Sequence, residues 1–111
     1  MDKKEVRRII MTEIKNVTPE ELAKQLQQNP DLRLLDVRKP EQYQQGHIKQ
    51  AKNVPYADID SFDSADKKTP VYLICKSGVL SMKAATNLQA RGYQTVNVLN
   101  GMNGYQGKTV K

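Results

Sequence analysis

Cysteine is nearly absent from this chain of 111 residues, which contains only Cys75. A single cysteine cannot form a disulfide within the chain, and it cannot supply a cysteine-rich zinc site. We therefore expect no metal site, and we expect no cofactor either. A chain without disulfides is typical of the reducing cytoplasm, which we predict as its compartment.

Aromatic residues are also scarce, with no Trp, one Phe and five Tyr. The formal net charge is +6, from 18 Lys and Arg against 12 Asp and Glu, but the basic residues are spread from Lys3 to Lys111. Nucleic-acid sites combine clustered basic residues with aromatic side chains on which bases stack. We therefore interpret the excess charge as a solvated basic surface and expect no nucleic-acid partner.

Long apolar runs are missing too, since no segment approaches the roughly 20 apolar residues that span a bilayer. Residues 1–12 carry four basic side chains before a short apolar stretch, Ile9 to Met11. That stretch is shorter than the core of a signal peptide and lacks a small-residue cleavage site. We predict no transmembrane segment, a basic segment at residues 1–12 that is frayed or forms an edge strand, and one monomeric domain at residues 13–108.

Capping and turn signals divide the rest of the chain into alternating strands and helices. Thr18-Pro19-Glu20-Glu21 combines an N-cap, a first-turn proline and a glutamate three residues after the cap, and Asn29-Pro30 ends the helix. A second helix is predicted from Ser81 to Arg91, with Gly92 as its cap. Strands are predicted at residues 14–17, 32–37, 71–75 and 96–99, an extended piece at 53–55 and short helical turns at 40–45 and after residue 100. This alternation implies a parallel sheet with right-handed crossovers.

Cys75 ends the most apolar run of the chain, Val71 to Cys75, which suits a central parallel strand covered on both faces. Ligands of such sheets bind beyond the carboxyl ends of the strands. The segment from Lys76 to Leu80 then leads to the helix predicted near Ser81. Backbone N–H groups of this loop and of the helix N-terminus can converge on the sulfur, and Gly78 permits the strained backbone that this requires.

Convergent N–H groups would change the reactivity of Cys75. A free thiol has a pKa of about 8.5, so only a few per cent is thiolate at neutral pH. Each unit by which the pKa falls requires about 1.4 kcal/mol of preferential stabilisation of the anion, which amide donors can supply without a catalytic base. We therefore predict that Cys75 is a reactive nucleophile rather than an inert core thiol.

Several motifs, taken in order, resemble those of the rhodanese family. They are Asp36-Val37-Arg38, Glu41, Tyr43, Gly46-His47-Ile48, Ala51 and Asn53-Val54-Pro55, then Val71 to Cys75 with Gly78 and Ser81, and finally Asn100 to Tyr105. The resemblance extends from Val17 to Gly107. It implies a three-layer α/β fold, in which helices flank a central five-stranded parallel sheet.

The resemblance also implies a two-step sulfur transfer. The Cys75 thiolate takes a sulfane sulfur from a small anionic donor such as thiosulfate, and the persulfide passes it to cyanide, a thiol or a protein. The substrate-binding residues it implies are Lys76, Ser77, Gly78, Val79, Leu80, Ser81 and Arg38. Many single-domain members have arginine at the second and sixth loop positions, where this chain has Lys76 and Leu80. The donor therefore stays open between thiosulfate and a persulfide.

Three further residues, Asp36, Glu41 and His47, are expected to support the site. Asp36 should accept backbone N–H groups at its strand end, and Arg38 should pair with Glu41 or line the mouth. His47 is the only histidine and so the only candidate for a Cys–His nucleophile pair. Because the loop can activate the thiol without a base, we expect His47 to brace its turn instead.

Three other functions are also considered for these residues. A phosphatase needs an arginine clamp for the phosphoryl oxygens, but Ser81 stands at that position and no arginine lies between Cys75 and Arg91. A sulfur-relay protein would take sulfur from another protein's persulfide by docking an acidic surface on Lys76 and Lys83, with Arg38 as a further candidate for this basic mouth. A non-catalytic binding module is disfavoured by the retained Cys75 and Gly78. Sulfur transfer is the function that we predict.

Overall fold

The computed structural model describes residues 14–111, where five strands and four α-helices alternate along the chain. Strands β1 to β5 span Lys15–Val17, Leu34–Asp36, Ala51–Asn53, Val71–Ile74 and Thr95–Val98. Helices α1 to α4 span Pro19–Gln28, Pro40–Gln44, Val79–Ala90 and Gly101–Gly104, and a 3₁₀ helix spans Tyr56–Ser61. None of these helices is long and apolar enough to cross a bilayer. The basic segment predicted at residues 1–12 lies outside the described residues.

All five strands are parallel and form one sheet in the order β1-β5-β4-β2-β3. The strand that leads to Cys75, β4, therefore lies at the centre, with β2 and β5 as its neighbours. A central strand is paired on both edges and buried on both faces, which explains its continuous apolar sequence. The predicted five-stranded parallel sheet is confirmed.

The strands bury side chains on both faces of the sheet. Leu35 and Leu73 pack on the side of α3 and the 3₁₀ helix, whereas Leu34 and Ile74 pack on the side of α1. This follows from the two-residue period of a strand, which sends neighbouring side chains to opposite faces. The sheet lies between two helical layers, as predicted, and Cys75 belongs to the α3 side.

Helix α1 begins where the sequence predicts. The Thr18 hydroxyl accepts the Glu21 N–H at 3.1 Å, and the Glu21 carboxylate accepts the Thr18 N–H at 3.2 Å. This reciprocal pair satisfies two N–H groups that a helix start leaves without partners. The apolar face of the helix, formed by Leu22 and Leu26, is buried against the sheet.

Two elements differ from the prediction. Helix α3 begins at Val79 rather than near Ser81, because Gly78 adopts a left-handed conformation with φ of 95° and acts as the N-cap. Ala51–Asn53 is an edge strand paired with β2, where the sequence predicted only an extended piece at residues 53–55. The side chains of this strand are buried, exposed and partly buried in turn, and three residues are too few to show a strand period.

We expect Thr18→Ala to lower the free energy of unfolding by about 1 kcal/mol, because the Glu21 N–H would lose its acceptor. Chemical denaturation monitored by circular dichroism measures the change. Thr86→Ala is the matched control, since Thr86 is an exposed residue within α3 whose hydroxyl bonds the Met82 carbonyl of its own helix. An equal loss of stability in both variants would contradict the capping role.

Candidate active site

Cys75 directly follows the central strand, and its position is dictated by the sheet. Strands β2 and β5 flank β4, so the sulfur lies at the carboxyl edge between two neighbouring strand ends. The residue is only 2% exposed. A thiol placed here is covered by protein yet borders the edge at which α/β sheets bind their ligands.

The loop after β4 turns back toward the sulfur. The Gly78 N–H donates to Sγ at 3.1 Å, and the Ser81 N–H donates to it at 3.3 Å. The Ser81 hydroxyl also lies 3.3 Å from the sulfur. The left-handed Gly78 makes the sharp turn that aims these groups at one atom.

These contacts decide the ionisation of the thiol. Burial raises the pKa of Cys75, but hydrogen bonds from the Ser81 side chain and from the backbone of Ser81, Gly78 and Ser77 outweigh burial and lower that pKa below its ordinary value. Donors that point at sulfur favour the anion because they bind the charged form more strongly than the thiol. The site can therefore hold a sulfur anion without a catalytic base.

Helix α4 holds the loop after β4 in place through backbone hydrogen bonds. The Met102 N–H donates to the Cys75 carbonyl at 2.8 Å, and the Asn103 N–H donates to the Lys76 carbonyl at 2.9 Å. This approach requires glycine at position 101, because a Cβ there would lie 2.2 Å from the Cys75 carbonyl oxygen. The C-terminal motif singled out in the sequence therefore acts on the loop that carries the cysteine.

A buried polar residue behind Ser81 was not predicted. The Ser81 hydroxyl lies 2.5 Å from Asn97 Oδ1, and Asn97 Nδ2 donates to Asn16 Oδ1 at 3.1 Å. Asn97 is 1% exposed. Its signal in the sequence is a lone amide between Val96 and Val98, since a polar side chain inside a buried strand needs a partner.

Among the described residues Arg38 forms no ion pair with Glu41, so the first of the two roles predicted for Arg38 is wrong. The guanidinium instead donates to both carboxylate oxygens of Asp36, with the shortest contact at 2.7 Å, and to the Gly46 carbonyl at 2.8 Å. Asp36 is fully buried and also accepts the Arg38 N–H at 3.0 Å, as expected for a strand-end carboxylate. The pair closes the end of β2, and the Arg38 guanidinium is taken up by Asp36 and Gly46.

His47 contacts the turn around it. Its ring stacks on Tyr43 with centroids 3.6 Å apart, its Nδ1 lies 2.8 Å from the Tyr43 carbonyl oxygen, and its backbone forms a bridge with Val110. No contact between His47 and the Cys75 sulfur appears among the described residues. These contacts support the bracing role predicted for His47.

The other loop residues predicted to bind substrate have exposed side chains. Lys76 and Ser77 are exposed, as are Val79 and Leu80, of which Val79 is 61% and Leu80 41% exposed. The contribution of Ser77 to the sulfur comes from its backbone. The rim of the site is therefore apolar on one side and carries a single lysine next to Cys75.

The chain shares sequence and fold with known proteins. The family model of the rhodanese-like domain matches residues 18–108. The "putative sulfurtransferase YtwF" of Bacillus subtilis (strain 168) is 35% identical over 98 residues, which cover 87% of this chain and 95% of that protein. The thiosulfate sulfurtransferase GlpE of Coxiella burnetii (strain RSA 493) is 32% identical over 72 residues, 64% of this chain and 67% of that protein. The crystal structure of a rhodanese-like domain protein from Staphylococcus aureus superposes with a TM-score of 0.79 at 34% identity, covering 88% of this chain and 99% of that one.

We expect Gly101→Ala to lower the free energy of unfolding by about 3 kcal/mol or more and to slow alkylation of Cys75, because the new methyl group would push the loop away from the sulfur. Gly92→Ala is the matched control, since Gly92 also has a positive φ but its Cβ would meet only the Lys67 side chain at 3.5 Å. The control should cost about 1 kcal/mol and leave alkylation unchanged. Denaturant titration and iodoacetamide kinetics measure the two effects, and equal alkylation in both variants would contradict the assignment.

Proposed function

The chain belongs to the rhodanese-like domain family, and we propose that it transfers sulfane sulfur through a persulfide on Cys75. Sulfur transfer in general is the role shared with its named sulfurtransferase relatives. The observation that carries the assignment to this residue is the convergence of the Gly78 and Ser81 N–H groups on Sγ. The cradle consists of these two groups with the backbone of Ser77 and the Ser81 side chain.

In the first step the Cys75 thiolate attacks the outer sulfur of the donor. With thiosulfate, the new Sγ–S bond forms as the bond between the outer sulfur and the sulfonate sulfur breaks, and sulfite leaves with the electron pair. The oxidation state of the transferred sulfur is carried over, so no separate oxidant is needed. The N–H groups of the cradle keep Cys75 ionised before the attack.

In the second step an acceptor attacks the outer sulfur of the persulfide. The Sγ–S bond breaks, and its electron pair returns to Sγ as a thiolate. A stabilised thiolate is a good leaving group, so the donors that activate Cys75 in the first step also promote its release in the second. One set of backbone groups thus serves both steps.

A protein persulfide is the second candidate for the donor. Val79, Leu80 and Leu99 are large apolar side chains that remain 41–61% exposed on or next to the cradle. Exposed apolar residues around a site favour contact with another protein surface, and Lys76 would favour an acidic one. The rim offers little charge to attract free thiosulfate, so a relay from another protein is the alternative to a small anionic donor.

Intact-mass measurement of the reduced protein tests the proposed function. We expect the mass of one added sulfur atom after exposure to thiosulfate or to a low-molecular-weight persulfide, removal of that mass by cyanide, and no gain in Cys75→Ser. A gain from the persulfide alone would favour the relay. No gain from either donor in a protein whose cysteine still alkylates would overturn the proposal and favour a binding module.

His47→Ala should leave the rate of sulfur uptake within about twofold of the original protein, because the cradle requires no imidazole base. The variant should lose some stability, since the stack on Tyr43 and the bond to its carbonyl are removed. Rapid quenching followed by mass measurement gives the rate, and denaturant titration gives the stability. A loss of uptake as complete as in Cys75→Ser would make His47 a catalytic residue.

A further inference from the structure

The Ser81 hydroxyl stands between the cysteine and a buried amide. Its oxygen lies 3.3 Å from Cys75 Sγ and 2.5 Å from Asn97 Oδ1. A hydroxyl has one hydrogen to donate, whereas an amide oxygen can only accept. Two oxygens this close share a hydrogen, so the single Ser81 proton is donated to Asn97.

In this arrangement the backbone N–H groups of Gly78 and Ser81 favour the thiolate, but the Ser81 hydroxyl binds only the thiol. The Ser81 side chain can help to lower the pKa of Cys75 only when its proton points at the sulfur. With the Ser81 proton used by Asn97, the Cys75 S–H donates to the Ser81 oxygen. Once the thiol ionises, Sγ has no hydrogen and needs the Ser81 proton for itself. Turning the hydroxyl toward sulfur would leave Asn97 Oδ1 without a donor in a residue that is 1% exposed, which is unfavourable.

We propose that Asn97 is a positioning residue for Cys75, whose side-chain amide reverses when the thiol ionises and thereby directs the Ser81 hydroxyl proton to the sulfur. After the reversal Asn97 Nδ2 donates to the Ser81 oxygen, and the Ser81 O–H donates to Sγ. The thiol proton leaves to solvent and the Ser81 O–H bond stays intact. The inference rests on the proposed function, which requires an ionised Cys75.

Reversal of the Asn97 amide also changes the hydrogen bonds of Asn16, which lies on the edge strand β1. At present Asn97 Nδ2 donates to Asn16 Oδ1, and Asn16 Nδ2 donates to the Ile14 carbonyl at 3.1 Å. A reversed Asn97 presents its oxygen to Asn16, which must then present Nδ2. Asn16 is exposed, so water can replace its bond to Ile14. The two amides reverse together.

Charged groups near Cys75 do not account for its ionisation. The flanking loop and α3 carry Lys76 and Lys83, both exposed, and the end of strand β2 with the residues after it carries the Asp36–Arg38 pair, in which the charges offset each other. Strand β5 and helix α4 carry no ionisable side chain. The direction of the hydrogen bonds around Sγ, rather than a nearby charge, is therefore what this protein can change to favour the thiolate.

Asn16→Asp tests the proposal at an exposed position where folding is not at risk. A carboxylate only accepts, so it would hold Asn97 Nδ2 in its present orientation and keep the Ser81 proton on Asn97. We expect alkylation of Cys75 by iodoacetamide at neutral pH to slow by roughly threefold and its pH profile to move to higher pH. Asn16→Ala should match the original protein, because water can then serve either orientation of Asn97.

Lys15→Glu is the matched charge control, since it changes the charge of the neighbouring exposed residue by two units. It should leave the alkylation profile in place at physiological salt, where exposed charges are screened. An unchanged profile in Asn16→Asp, or an equal shift in Lys15→Glu, would overturn the proposal.

A double-mutant cycle tests the same coupling inside the core. Asn97→Asp should slow alkylation more in the original protein than in Ser81→Ala, because in the latter the carboxylate has no hydroxyl proton to withhold. Equal effects in both backgrounds would show that Asn97 acts without Ser81 and would contradict the inference. Alkylation does not depend on a sulfur donor, so a protein that passes this test but gains no sulfur refutes the proposed function alone.

Discussion

Backbone N–H groups of the loop after β4 converge on one buried sulfur, and the turn at Gly78 and helix α4 both maintain that convergence. A sulfur that is nearly inaccessible to water can stay ionised only if protein donors replace the solvent. Gly78 and Ser81 supply those donors, and they can do so only while the loop holds its sharp turn. Helix α4 can hold that turn in place because position 101 is glycine and has no side chain to clash with the Cys75 carbonyl.

Next to the cysteine loop, polar side chains at the end of β2 satisfy one another's hydrogen-bonding groups. Asp36 and Arg38 close the end of β2, and the Asn53 amide donates to the carbonyl oxygens of both residues at 2.9 and 3.0 Å. A buried ion pair of this kind contributes little net stability over an apolar pair, but loss of one partner is costly. Its effect here is geometric, because it fixes the chain after β2 beside strand β4, which leads to Cys75.

Local signals made much of the fold predictable. The capping box at Thr18 and the continuous apolar run of β4 each depend on neighbouring residues, so their elements could be predicted from the sequence. Partners that are distant in the chain could not be. Arg38 was expected to pair with Glu41 or to line the mouth, and its bond to the Gly46 carbonyl was missed. The contact between Ser81 and Asn97 was missed too, because such contacts depend on how separate strands and loops pack. The edge strand β3 was missed because three residues carry no period.

The recessed position of Cys75 limits which molecules can touch its sulfur. Cys75 is 2% exposed, so its thiolate lies below the surface of the protein. A persulfide would add a second sulfur about 2 Å further along the same side chain. If that bond points toward the opening of the loop, the loaded protein presents its reactive atom where the unloaded protein presents only a recess. An acceptor could then distinguish the two states by length alone, without any movement of the fold.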